Sequence, residues 1–146
     1  MRRLALEKAR VVAARARNHP VLAADTTVVA DGQILGKPID DGDARRMLRM
    51  LSGATHEVIT GVALVHRGEA HVHAETTAVE FVEMNDDEIA WYVSTGEPHD
   101  KAGAYAIQGY ASRFIACVDG SYSNVVGLPI ALVYEMLTSA GVRSSP

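Results

Sequence analysis

The chain has 146 residues, of which 48% are hydrophobic and 22% charged, and its formal net charge is −4. These proportions predict one soluble globular domain that buries a core, and they argue against an extended disordered chain. The sequence has neither the strongly basic character of a nucleic-acid coat nor an apolar run of membrane-spanning length, so we expect a cytoplasmic protein.

The first half of the chain predicts a helix, a strand and a second helix. Residues 2–17 are rich in alanine and arginine and contain neither glycine nor proline, which favours a helix. The β-branched residues within 21–29 predict a strand. Apolar residues within 43–51 recur at helical spacing, and either Asp41 or Asp43 is the expected N-cap.

The second half adds a hairpin, two helices and two short strands. We expect strands at 56–65 and 70–82, joined by a turn at Arg67 and Gly68. A helix then begins with a capping box at Asn85 and Glu88 and runs through Thr95. It is followed by strands near 104–107 and 114–118, a glycine-bearing loop, and a helix over 129–140. Cys117 lies in an apolar run and is expected to be buried. Alternating strands and helices with one hairpin predict an α/β domain with a mixed sheet.

Asp25 interrupts an otherwise apolar strand. An ionised carboxylate is costly there unless another group pairs with it, so we expect a lysine, a metal ion or a hydrogen-bonded water beside it. The alternative is a carboxylate at a strand end that caps a neighbouring turn.

The segment GKPID, residues 36–40, displays a lysine and an acid together. Gly36 allows close backbone approach and Pro38 stiffens the loop, which leaves Lys37 and Asp40 as candidate substrate-binding residues. An ordinary surface loop is the alternative interpretation of this segment.

The segment GEPHDKAGAYAIQG, residues 96–109, is the most polar loop between regular elements. Its glycines let backbone amides approach a ligand. Asp100, Lys101 and Gln108 supply an acceptor, a cation and an amide that can bind a base edge. This combination indicates a binding loop rather than an ordinary connection.

Several other patterns carry no assignment. His71 and His73 share one strand face with His66 across the hairpin, but no acid at suitable spacing accompanies them, and a solvated face is the simpler interpretation. Neither GxGxxG nor GxxxxGK[ST] occurs, which excludes phosphate binding by those two loops.

Five segments, in this order and at this approximate spacing, resemble the Maf family of nucleotide pyrophosphatases, once called septum formation proteins. They are AADTTVV at 23–29, GKPID at 36–40, LSGATHEVITGV at 51–62, GEPHDKAGAYAIQG at 96–109 and DGSYSNVVGLP at 119–129. The resemblance implies a fold like that of the inosine-triphosphate pyrophosphatases, a mixed twisted β-sheet flanked by helices. It also implies a cleft in which a nucleoside triphosphate is cut between its α- and β-phosphates.

The resemblance also implies roles for individual residues. Asp25 matches the family's acid of the ADT motif, which is taken as the general base, and Lys8 and Lys37 match its phosphate-facing lysines. Thr26 and Gln108 fall on positions tied to substrate choice, and both look like the branch acting on dTTP and UTP. A divalent cation, Mg²⁺ or Mn²⁺, is the expected cofactor because it covers the charge of the triphosphate.

The start of the sequence departs from the family pattern. The family opens with a strand and a Ser-x-Ser-Arg-Arg loop, whereas this sequence begins almost at the helix LALEKA. We therefore expect either an N-terminally truncated domain with impaired activity or a site completed by another subunit, as in a homodimer. Two functions stay open: a house-cleaning dTTP/UTP pyrophosphatase, and a catalytically deficient nucleotide-binding protein that regulates septum formation.

Overall fold

A computed structural model describes residues 1–16 and 18–142 of the chain. In this part of the chain, five strands form one sheet of order β2-β1-β3-β4-β5. The strands are β1 (Val21–Ala30), β2 (Gln33–Leu35), β3 (Thr55–His66), β4 (Glu69–Phe81) and β5 (Ile115–Asp119). The helices are α1 (Arg2–Ala13), α2 (Asp41–Leu51), α3 (Asp86–Ser94), α4 (Tyr122–Val126) and α5 (Ile130–Ser139), with short 3₁₀ helices at Ala102–Ala104 and Tyr110–Phe114.

The helix-flanked sheet of an α/β domain is confirmed, but the strand directions differ from the expected mixed sheet. All four pairings between the described strands are antiparallel. The segment β2-α2-β3 does connect two strands that run in the same direction, but β1 lies between them, so they do not pair. The connection through α2 therefore produces no parallel pair.

Most predicted elements are present, with local differences. The predicted strand near 104–107 is wrong: Ala104 has φ 64°, which an extended strand does not allow, and a 3₁₀ helix and turn occupy this region. The first helix ends at Ala13 within the predicted range 2–17, whose last residue, Arg17, lies outside the described residues. The short elements β2 and α4 were not predicted. The capping box of Asn85 and Glu88 is confirmed.

The central strand β3 is buried from both sides. Val58 packs into the main core with α2 and α3, and Val62 and Leu64 pack against α5. Ala63 points to the opposite face, where α1 covers it. Side chains alternate between faces along a strand, so β3 separates two packed layers.

The strand β5 lies at one edge of the sheet, which changes the expected position of the cysteine. Cys117 is exposed rather than buried. Cys117 is the cross-strand partner of the exposed Glu80, whereas its neighbour Val118 points to the other face of the sheet and packs against the core. None of the described helices is both long and apolar enough to cross a membrane.

Candidate active site

A cavity of about 360 Å³ lies along the free edge of β1. The strand β2 pairs only with Val28–Ala30, so the earlier part of β1 has no strand neighbour on that side within the described chain. The loop after α3 and the end of α4, with Gly127 directly after it, form other walls. Six of the seven predicted site residues line this cavity: Lys8, Asp25, Thr26, Lys37, Lys101 and Gln108.

Asp40 is the exception, because it does not line the cavity. It is the N-cap of α2, and its Oδ1 accepts a hydrogen bond from the Asp43 backbone N–H at 2.8 Å. Neither of the two predicted caps, Asp41 and Asp43, has this role. A carboxylate at an N-cap satisfies a helical N–H that has no partner within the helix. The structure thus gives Asp40 a structural role, and its predicted contact with substrate stays a prediction.

The partner of Asp25 is Lys8. The Lys8 Nζ donates a hydrogen bond to Asp25 Oδ1 at 2.7 Å, and the Asp25 side chain is 19% exposed. Of the three partners predicted from the sequence, the structure thus shows the lysine. The pair brings a cation from α1 next to an acid from β1, at a place that solvent and ligands can reach.

Gly61 explains why α1 comes so close to the sheet. It is the cross-strand partner of Asp25. A Cβ added to Gly61 would lie 2.5 Å from the carbonyl carbon of Met1 and 2.6 Å from the backbone nitrogen of Arg2. The start of α1 therefore packs directly on the backbone of β3. This contact fixes the distance between α1 and the sheet, and with it the position of Lys8 relative to Asp25.

Thr26 follows Asp25 in the strand and points to the opposite face of the sheet. Its Oγ1 lies 2.9 Å from Oγ1 of the buried Thr60 and 3.4 Å from the carbonyl oxygen of Gly127. Thr60 in turn reaches the Asn124 carbonyl oxygen at 3.5 Å. Whichever threonine donates to the other, the Thr26 proton has an acceptor within the protein. When the proton is used in this way, a lone pair of the hydroxyl is available to a ligand.

Lys37 and Asp100 form an ion pair at the cavity, with Nζ 2.9 Å from Oδ1. The hydrogen bond from Lys37 lowers the pKa of the Asp100 carboxyl below its usual value. Two further contacts join the same loops: Gly103 N–H donates to the Gly36 carbonyl at 3.0 Å, and His99 Nε2 lies 2.8 Å from Asp41 Oδ1. The segment around Lys37 is thus held against the binding loop.

A buried pair lies behind the cavity wall. Tyr105 lines the cavity, and its hydroxyl lies 2.6 Å from Nε2 of His56, which is 2% exposed. Burial lowers the pKa of His56 to about 4 and raises the pKa of Tyr105 above its usual value. Both groups are therefore neutral at pH 7, and the pair fixes the tyrosine ring without adding charge to the cavity.

The cavity lining combines cationic, polar and apolar side chains, which suits a polyanion that carries a polar ring. Three lysines and two aspartates line it, so cations are in excess. Apolar side chains, among them Val28 and Val126, also line the cavity. Because neighbouring residues of a strand point to opposite faces, Asp25 and Thr26 would meet different parts of a ligand that lies across the edge of β1.

The donor set fits a metal ion that arrives with a phosphate ligand. Among residues 1–16 and 18–142, no group of three or more His, Cys, Asp or Glu side chains is placed to hold a metal ion. The cavity offers two carboxylates, Asp25 and Asp100. Mg²⁺ is commonly bound by one or two carboxylates together with substrate phosphates. Each of these carboxylates uses Oδ1 to hold a lysine, Lys8 on Asp25 and Lys37 on Asp100, so the ion would be bound by the other carboxylate oxygen.

The family is shown by comparison with known proteins. Residues 1–140 match the family described as Maf-like protein, and the chain belongs to this family. A protein of Koribacter versatilis named dTTP/UTP pyrophosphatase is 58% identical over 140 residues, which cover 96% of this chain and 72% of that protein. Proteins of the same name from Symbiobacterium thermophilum and Pyrococcus abyssi are 54% and 50% identical, covering 95% and 92% of this chain and 72% of each of those proteins.

Sequence reasoning missed Tyr105 and the segment ending at Gly127 as parts of the cavity. The available signal for Tyr105 was its aromatic side chain within the otherwise polar segment 96–109. The sequence did not indicate which residue its hydroxyl would contact. Gly127 belongs to the segment DGSYSNVVGLP at 119–129, but nothing in its spacing indicates that its carbonyl oxygen meets Thr26.

Proposed function

We propose that the protein hydrolyses dTTP and UTP to the nucleoside monophosphate and pyrophosphate. The observation that carries the proposal is one cavity lined by Lys8, Asp25, Thr26 and Gln108, in which Lys8 is hydrogen-bonded to Asp25. The similar proteins named dTTP/UTP pyrophosphatase support the same substrates. In the cell, such hydrolysis would remove noncanonical or excess pyrimidine triphosphates.

The lysines bind the triphosphate. It carries about four negative charges, and cations near the oxygens that gain charge lower the barrier to phosphoryl transfer. Lys37 is paired with Asp100 at an exposed position, so a phosphate can replace that carboxylate at little cost. Lys8 and Lys101 are the other cations of the cavity.

Asp25 acts on the attacking water. Its carboxylate accepts a proton from the water as the water oxygen bonds to the α-phosphorus, and the bond from that phosphorus to the bridging oxygen breaks. Pyrophosphate leaves with the bridging oxygen. Lys8 keeps the carboxylate oriented through their hydrogen bond. A Mg²⁺ or Mn²⁺ ion bound with the triphosphate would supply further charge neutralisation.

Thr26 and Gln108 select the base. The lone pair of the Thr26 hydroxyl accepts from the N3–H of thymine or uracil, and the amide of Gln108 donates to the 4-oxo oxygen. Cytosine presents an acceptor at N3 and an amino group at C4, so both contacts are mismatched. A site built for a hydrogen bond disfavours an analogue that cannot make it.

The experiment is a panel of triphosphates incubated with the protein and Mg²⁺. We expect pyrophosphate and monophosphate from dTTP and UTP, with slower turnover of dCTP and of purine nucleotides. In ¹⁸O water the label enters the monophosphate, because attack falls on the α-phosphorus. Tight binding of dTTP without any turnover would instead favour a catalytically deficient nucleotide-binding protein, the alternative that regulates septum formation.

A further inference from the structure

Glu97 lies outside the cavity and binds the end of the binding loop, residues 96–109, through its carboxylate. Its Oε1 accepts from the Tyr110 backbone N–H at 2.9 Å, and its Oε2 accepts from the Ala111 N–H at 3.2 Å. These two residues begin the 3₁₀ helix Tyr110–Phe114. The carboxylate thus satisfies two backbone donors directly after Gln108 and Gly109.

Tyr92 holds the start of the same turn. This residue of α3 is fully buried, and its hydroxyl accepts from the Ala106 backbone N–H at 3.2 Å and donates to Glu97 Oε2. The Tyr92 hydroxyl therefore donates its single proton to the carboxylate and accepts the amide hydrogen through a lone pair. Ala106 lies two residues before Gln108, so Tyr92 and Glu97 fix the chain on both sides of it.

Gly109 shows how closely the turn packs on the carboxylate. A Cβ added to Gly109 would lie 1.7 Å from Glu97 Oε1. The Gly109 N–H also donates to the Ala106 carbonyl oxygen at 3.1 Å, which closes the turn over Gln108. A carboxylate, a phenol and a glycine therefore define the backbone position of one exposed amide side chain.

We propose that Glu97 and Tyr92 form a positioning pair that places Gln108 for recognition of a 4-oxo pyrimidine. The inference rests on the proposed function, since it concerns base selection in the same cavity. Neither residue lines the cavity, so neither contacts the base directly. Their effect is preorganisation: an amide on a fixed turn loses less conformational entropy when it binds the base.

The test compares Glu97→Gln and Tyr92→Phe with wild type. Glutamine cannot accept from both backbone N–H groups, and phenylalanine removes the hydroxyl between Ala106 and Glu97. For each variant we expect the preference for dTTP over dCTP in kcat/KM to fall about tenfold, roughly the factor of one misplaced hydrogen bond. The loss arises mainly from a higher KM for dTTP, because Asp25 and Lys8 are untouched. Glu88→Gln, a charge-matched change on α3 away from the turn, is the control and keeps the wild-type preference.

A Gln108→Ala background separates positioning from general destabilisation. In that background Glu97→Gln should cause no further loss of preference, because the amide it places is absent. Circular dichroism and thermal unfolding establish which variants are folded, and Tyr92→Phe decides the question if Glu97→Gln does not fold. An unchanged preference in the folded variants, or an equal further loss without Gln108, overturns the proposal. The dissociation constants for dTTP and dCTP are measured as well, because they report base selection even without turnover. If the wild-type protein does not hydrolyse dTTP, that result contradicts the proposed function, and the binding preference still tests the positioning pair.

Discussion

Replacing Gly61 by alanine tests whether the close contact between α1 and β3 sets the geometry of the Lys8–Asp25 pair. The added Cβ would lie 2.5 Å from the Met1 carbonyl carbon, where carbon atoms normally approach to about 3.5 Å. The atoms in conflict belong to backbone, so the start of α1 has to move by about 1 Å. Overpacking of this kind costs about 1 to 3 kcal/mol of folding free energy.

The same shift moves Lys8 relative to Asp25 and the triphosphate. A displacement of about 1 Å in a catalytic geometry lowers the rate by about 10²-fold. The assay is pyrophosphate release from dTTP, together with urea unfolding of the same preparation. Gly42→Ala is the matched control: this position lies in α2, and the nearest atom to an added Cβ is 3.5 Å away, so activity should stay at the wild-type value. Wild-type stability and turnover in Gly61→Ala would refute the reasoning.

Two further predictions concern base selection and acid stability. Thr26→Val removes the hydroxyl that faces the base, so the preference for dTTP over dCTP in kcat/KM should fall roughly fivefold, the equivalent of about 1 kcal/mol; an unchanged ratio would contradict the assigned contact. Because burial lowers the pKa of His56 to about 4, the unfolded state takes up a proton near pH 6.5 that the folded state does not bind. The free energy of unfolding measured in urea should therefore fall by about 2 kcal/mol between pH 7 and pH 5. A His56→Gln variant should lose most of this decrease, and an equal decrease in that variant would show that other groups cause it.

The sequence predicted the long elements because their signals are local. The β-branched run of β1, the hairpin of β3 and β4, and the capping box of Asn85 and Glu88 each depend on neighbouring residues. The short elements β2 and α4 depend on their neighbours in space instead. Three residues at the edge of a sheet, or five within a glycine-bearing loop, carry too little periodicity for prediction.

Much of the candidate site was predictable as residue types, and its pairings were not. The unusual carboxylate of Asp25 was evident, but Lys8 lies 17 positions away on another element. Gly61 was the available signal, since a glycine in the middle of an apolar strand indicates that another backbone approaches it closely. The capping role of Asp40 was not predicted because an exposed acid beside a lysine suits ligand binding and helix capping equally well.

The most direct test of the central claim, that the Asp25 carboxylate drives hydrolysis in this cavity, is the rate of pyrophosphate release from dTTP by Asp25→Asn. Asparagine keeps the shape of the side chain and cannot take a proton from water. We predict a loss of at least about 10²-fold in kcat, with dTTP still bound. Asp31→Asn, the same change in the exposed turn after β1, should retain the wild-type rate. A rate for Asp25→Asn close to that of wild type would contradict the account.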